Sequence, residues 1–149
     1  MKKFQFRLDG VLDYRQQVLE GRQNEYAKAV RQVQEQQVRL DAARERYQEL
    51  NRRFREEASA GITIADAMGY ENGLRVLERE IARETQTLQT LQKEAEEKRQ
   101  WMLQAHMDAA VLERLKEKQK DAYQKEAQKR DEQFIEELVS AARLEQSRS

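Results

Sequence analysis

LDYRQQVLEGRQNEYAKAVRQVQEQQVRLDAARERYQELNRRF, residues 12–54, places a large apolar residue at every seventh position. Leu12, Leu19, Tyr26, Val33, Leu40, Tyr47 and Phe54 keep that interval without a miss. Seven residues are nearly two turns of α-helix, so these side chains line one stripe. A weaker companion stripe follows Leu8, Arg15, Arg22, Ala29, Gln36, Ala43 and Leu50. A second series runs through Leu74, Leu77, Ile81, Glu84, Leu88, Leu91, Ala95, Lys98, Met102, Ala105, Ala109 and Leu112. Its spacing alternates between three and four, and only Glu84 and Lys98 interrupt its apolar character. Two such stripes in one chain predict a coiled-coil seam.

Between the two series, SAGITIADAMGYENG holds three of the five glycines, Gly61, Gly69 and Gly73. Thr63 stands where an N-cap is wanted, with Asp66 three residues later. The expected fold is all-α: a long two-helix antiparallel coiled coil, a helical hairpin rod with an overhanging C-terminal helix. Residues 1–149 are read as one unit. The first helix is expected over about 4–58, a connector over about 59–64 and the second helix over about 64–143, with a bend allowed at 69–73. At ~1.5 Å per residue the arm would be about 80 Å long. Helices this long and polar hold together by sharing a seam.

Composition narrows the function classes. Of 149 residues, 38% are charged and 38% hydrophobic, with no Pro and no Cys. Mean hydropathy is −1.07, low for a globular chain of this size. Lys+Arg and Asp+Glu balance at 28 each, which argues against nucleic-acid or anionic-membrane binding. Without Cys there is no disulfide framework or thiolate metal site. No secretory leader or run of 18 apolar residues is visible, so a soluble cytoplasmic chain is expected. Residues 1–55 carry 13 Lys+Arg against 8 Asp+Glu, and the remainder 15 against 20. The split reads as two helices of opposite bias attracting one another, the alternative being a basic arm that meets an acidic lumen or surface.

No catalytic set emerges. His106 is the only His, and a Ser-His-Asp arrangement has no workable geometry on a two-helix hairpin. The glycines at 61, 69 and 73 do not follow a strand, as a phosphate cradle requires. The abundant carboxylates read as a solvated helix face. No enzyme and no cofactor is expected.

The tail is the unusual part. From residue 116 to 133 only Ala122, Tyr123 and Ala127 are apolar; then Phe134, Ile135, Leu138 and Val139 arrive together. If Phe54 lies opposite about Leu74, then Phe4 faces about Gln124, and everything past about Lys125 overhangs. Burying the four residues would gain roughly 6–12 kcal/mol, against an association cost of about 4–15 kcal/mol. A frayed end often carries idle apolar residues, but four large ones after a polar stretch point to a partner. Two further positions stand out. Gly21 sits mid-helix at a cost of about 1 kcal/mol against Ala, beside Val18, which widens the apolar face. Trp101 flanks Met102, as cover for the seam edge or as an anchor for a partner.

FQFRLDGVLDYR (4–15), GITIADAMGYENGLRVLEREI (61–81) and LERLKEKQKDAYQKEAQKRDEQFIEEL (112–138) together resemble the FliJ family of flagellar type III export proteins. The family's opening is matched by Phe4, Phe6, Leu8, Val11, Leu12 and Arg15, its break by Tyr70, and its ending by Leu112, Leu115, Tyr123 and Glu126. Glu136-Glu137 stands where the family usually has Asp-Glu. The resemblance covers nearly the whole chain and rests on the order and spacing of the three segments.

The resemblance implies an antiparallel coiled coil similar to the central stalk of rotary ATPases. Its implied partners are the hexameric flagellar export ATPase (FliI-like), the export gate protein (FlhA-like) and export chaperones. Tyr123, Phe134, Ile135, Leu138 and Val139 would contact the ATPase ring, and Tyr14, Val18, Arg22 and Glu25 the export gate. The implied location is cytoplasmic, peripheral to the inner-membrane export apparatus, and a monomer is expected when free. The alternatives are the homologous injectisome stalk (the YscO-like class) and a self-assembling structural coiled coil.

Overall fold

Three residues separate the two helices. The computed structural model describes residues 2–148, with α1 spanning Asp9–Ala60 and α2 spanning Ile64–Arg148. The two pack against one another as an all-α helical hairpin, with no strand among the described residues. α1 ends because Gly61 adopts φ +97°, a conformation that costs glycine little and other residues much. The Gly61 N–H reaches back to the Ala58 carbonyl at 3.3 Å. α2 starts almost at once because Thr63 caps it: Thr63 Oγ1 accepts the Asp66 N–H at 3.1 Å and the Thr63 carbonyl accepts the Ala67 N–H at 3.0 Å.

α2 is helical straight through Gly69 and Gly73, where the sequence allowed a bend. Gly73 instead serves close packing, since a Cβ there would lie 2.9 Å from Leu50 Cδ2. The short turn also corrects the register. Phe54 meets Tyr70, with ring centroids 5.3 Å apart, rather than Leu74. The pairing is one helical turn tighter than expected because α1 continues to Ala60 and only residues 61–63 turn the chain.

The first helix, expected from about Phe4, begins at Asp9. Phe4, Phe6 and Leu8 alternate with polar residues, a period of two that suits extended chain rather than helix. Phe6 is 5% exposed, and its carbonyl accepts the Asp9 N–H at 3.1 Å. Phe4 packs its ring against Tyr123, centroid to centroid 5.7 Å. Residues 2–6 take neither helix nor strand and Arg7–Leu8 form a turn, so this short segment lies along α2 as far as Tyr123. The overhang shortens accordingly: Ala127 is still half-buried, and unbroken exposure starts at residue 128 rather than near Lys125. At the other end α2 runs on to Arg148, past the expected stop near Arg143.

The chain divides into two compact units, one of Met1–Leu19 with Gln104–Ser149 and one of Glu20–Leu103. In the first, Phe6, Leu12, Ala105 and Ala109 are buried. Polar contacts flank that core: Lys116 Nζ to Asp9 Oδ1 at 2.8 Å, Gln16 Nε2 to Glu113 Oε1 at 3.0 Å, and Arg15 Nη1 to Asp108 Oδ2 at 3.6 Å. In the second, Ala29, Leu40, Ala43, Leu88 and Ala95 are buried. All the large seam residues from Leu12 to Leu112 are buried or half-buried. The small alanines let the helices approach closely while the larger residues close the edges.

One polar layer interrupts the core of the second unit. Gln36 is 4% exposed. Its Nε2 donates to the Glu84 carbonyl at 3.0 Å and to the Glu84 carboxylate. Gln36, a polar break in the companion stripe, thus meets Glu84, one of the two polar breaks in the second series.

Candidate functional site: the uncovered C-terminal helix

From residue 128 to 148 every residue of α2 is exposed. The stretch draws mainly on Glu, Gln, Arg, Ala and Leu and has neither Gly nor Pro, so helix propensity favours it throughout. Phe134 is 61% exposed, and Ile135, Leu138 and Val139 stand open beside it. At 100° per residue, Phe134 and Leu138 continue the side of α2 that carries Tyr123 and Ala127. Ile135 and Val139 turn the apolar surface round one flank. Asp131, Glu132, Glu136 and Glu137 are interleaved with these residues, and no basic residue falls between 131 and 142. The tip is an apolar knob in an acidic collar. It can fill an apolar socket.

The structure sorts the expected contact residues. Tyr123 does not join the tip: it is half-buried and packed on Phe4, where it anchors the N-terminal segment. Leu144, exposed like the tip residues, lies on a different side of the helix. Sequence reading passed over it because the second helix was taken to stop near Arg143.

Of the other expected contacts, Tyr14 is exposed and Val18 half-buried in the first unit. Arg22 and Glu25, in the second, form a cluster with α2. Arg22 Nη1 is 3.2 Å from Glu25 Oε2, and Lys98 Nζ is 3.9 Å from the same oxygen. The Arg22 guanidinium carbon lies 5.2 Å from the Trp101 ring centre and Lys98 Nζ lies 4.8 Å from it. Two cations over one indole hold it by cation–π attraction, yet Trp101 remains 45% exposed. Sequence reading put Trp101 at the seam edge and missed its pairing with Arg22, which depends on cross-helix register. A Cβ at Gly21 would meet nothing within 4 Å, so no contact inside the chain requires glycine there.

Among the described residues there is no group of three or more His, Asp or Glu side chains placed to hold a metal ion. No described helix is long and apolar enough to cross a membrane.

The family model described as "Flagellar FliJ protein" matches residues 4–148, from the N-terminal Phe4 through the uncovered helix. The chain belongs to the FliJ family. Searches of curated proteins and of solved structures return no match. Membership makes this chain a flagellar component connected with protein export, in a family of structural export parts. The match takes in the FliJ-type opening, now seen as the non-helical segment that precedes α1, and the tail beyond residue 128.

Proposed function

We propose that this FliJ-family chain is a non-enzymatic stalk of the flagellar export apparatus whose C-terminal helix enters the ring of the hexameric export ATPase. The observation that carries this reading is the exposed tip. Phe134, Ile135, Leu138 and Val139 stand uncovered at the end of a helix whose preceding turns are polar. Leaving four such residues in water forgoes roughly 6–12 kcal/mol of burial. A ring pore supplies a socket that surrounds a single helix, which a flat surface does not. In this reading the stalk promotes ring assembly and turnover, and its remaining length links the ATPase to the export gate and to export chaperones. Tyr14, Val18, Arg22 and Glu25 are the proposed gate-facing residues. The chain works at the cytoplasmic side of the inner membrane, peripheral to the export apparatus.

The test compares the full chain with a chain ending after Gln133, and with Phe134→Ala/Leu138→Ala, each mixed with the cognate export ATPase. Hexamer mass is followed by light scattering and turnover by phosphate release. The reading requires that the full chain promote both and that the two variants fail. Equal behaviour of all three proteins moves the ring contact elsewhere.

A further inference from the structure

In the first unit, α2 presents a second uncovered face, turned away from buried Ala105 and Ala109. Met107 and Val111 open it, 53% and 66% exposed. From Val111 the three-and-four spacing of one helical face continues through Arg114, Lys118, Asp121 and Lys125. It then runs on through Lys129, Glu132, Glu136 and Val139 to Arg143.

The charged residues of this face are unspent. Among the described residues none of Arg114, Lys118, Lys129, Glu132 and Glu136 has an ion-pair partner. Beside the seam of the same unit, by contrast, Asp9 holds Lys116 and Arg15 holds Asp108.

Turned end for end about Lys125, this face complements itself. Val111 falls on Val139, Arg114 on Glu136, Lys118 on Glu132 and Asp121 on Lys129. The near half is apolar then basic, the far half acidic then apolar. A two-fold dimer requires this symmetry, because residue i of one copy meets j of the other and j meets i. Each opposite-charge pair therefore occurs twice. Among the charged residues only Lys125 meets a like charge, at the axis.

We propose that the free chain pairs with a second copy of itself, antiparallel, through this outer face of α2. The dimer departs from the monomer expected above. It does not rest on the ring reading: of the tip residues only Val139 lies on this face, while Phe134 and Leu138 stand on the other side of the helix. Its hold is chiefly electrostatic, so it is salt-sensitive.

The test is the mass of the full chain by sedimentation at high protein concentration, in about 0.05 M and about 0.5 M salt. Wild type is expected to be dimeric in the first and to dissociate in the second. Lys118→Glu and Glu132→Lys each create two like-charge contacts and weaken the dimer about tenfold or more. Mixing these two variants restores it, because every altered contact becomes an opposite pair again. Lys125→Leu removes the axial repulsion and tightens the dimer, whereas Phe134→Ala leaves it unchanged. All these positions are exposed, so circular dichroism should report an unaltered fold. A wild-type monomer at low salt overturns the proposal, as does a mixture of the two charge variants that stays monomeric.

Discussion

The Gln36 side-chain amide donates to the backbone carbonyl of Glu84 at 3.0 Å, and also to its carboxylate, across a mainly apolar seam. A polar pair in such a seam holds register more than it adds stability, since a slip of one turn would bury both groups without partners. Gln36→Ala should cost about 1–3 kcal/mol, the penalty for leaving half-buried Glu84 unsatisfied. Gln36→Leu/Glu84→Leu should recover that loss while allowing more than one register. Urea denaturation reads the first effect. Distances between spin labels on α1 and α2 read the second, as a broadened distribution. A double variant with one sharp distance would show that register is set elsewhere.

Much of the hairpin was legible because a seven-residue repeat constrains helix, face and partner together. Leu12 to Phe54 and Leu74 to Leu112, joined by a short glycine-bearing break, pointed to two stripes facing each other. Register was less legible, because it depends on whether the turn takes six residues or three, and that rests on the backbone of Gly61. The N-terminal segment was misread as helix although Phe4, Phe6 and Leu8 already showed the alternation of extended chain. The tip at Phe134 to Val139 stood out because apolar residues return after a polar run. The Arg22–Trp101 contact could not be read, since it joins residues far apart in sequence through side-chain geometry.

The two helical glycines Gly21 and Gly73 should respond differently to alanine. At Gly21 a Cβ meets nothing within 4 Å, so Gly21→Ala should stabilise by about 0.5–1 kcal/mol through helix propensity. At Gly73 the same gain is offset by the approach to Leu50 Cδ2 at 2.9 Å. That methyl is the end of a flexible side chain, so Gly73→Ala should fall near zero rather than become strongly destabilising. Thermal melts of the two variants should separate with Gly21→Ala the higher. The reverse order would mean that α1 is not regular helix at Gly21.

Glu49 should titrate below the ordinary carboxylate range. The cause is Arg52, whose Nε and Nη2 donate to the two Glu49 oxygens at 3.0 and 2.5 Å, assisted by the charges of Arg52 and Arg53 and opposed by desolvation. A lowered folded-state pKa contributes stability that is complete above the unfolded value of about 4.3. That contribution is lost as pH falls through the lowered folded midpoint. Glu49 is open to solvent, so the direct readout is its own titration by carboxyl NMR. Arg52→Gln should move the midpoint up towards the ordinary value. No movement would assign the shift to Arg53 instead.

Phe6 is the deepest anchor of the segment that precedes α1. It is buried although its neighbours Gln5 and Arg7 are exposed, and Phe4 beside it rests on Tyr123. Deleting a buried aromatic ring costs about 3–5 kcal/mol in a closed core. Here the segment can simply detach, so the loss is capped at the cost of local release. Phe6→Ala should therefore free residues 2–8 and expose Tyr123 while α1 and α2 stay paired. Hydrogen exchange should quicken at the Asp9 and Leu12 amides, which bond to the Phe6 and Leu8 carbonyls, and remain slow around Leu40 and Ala43. The global melting temperature should move little. If exchange instead quickens along the whole seam, the N-terminal segment is a cornerstone of the hairpin and not a detachable strap.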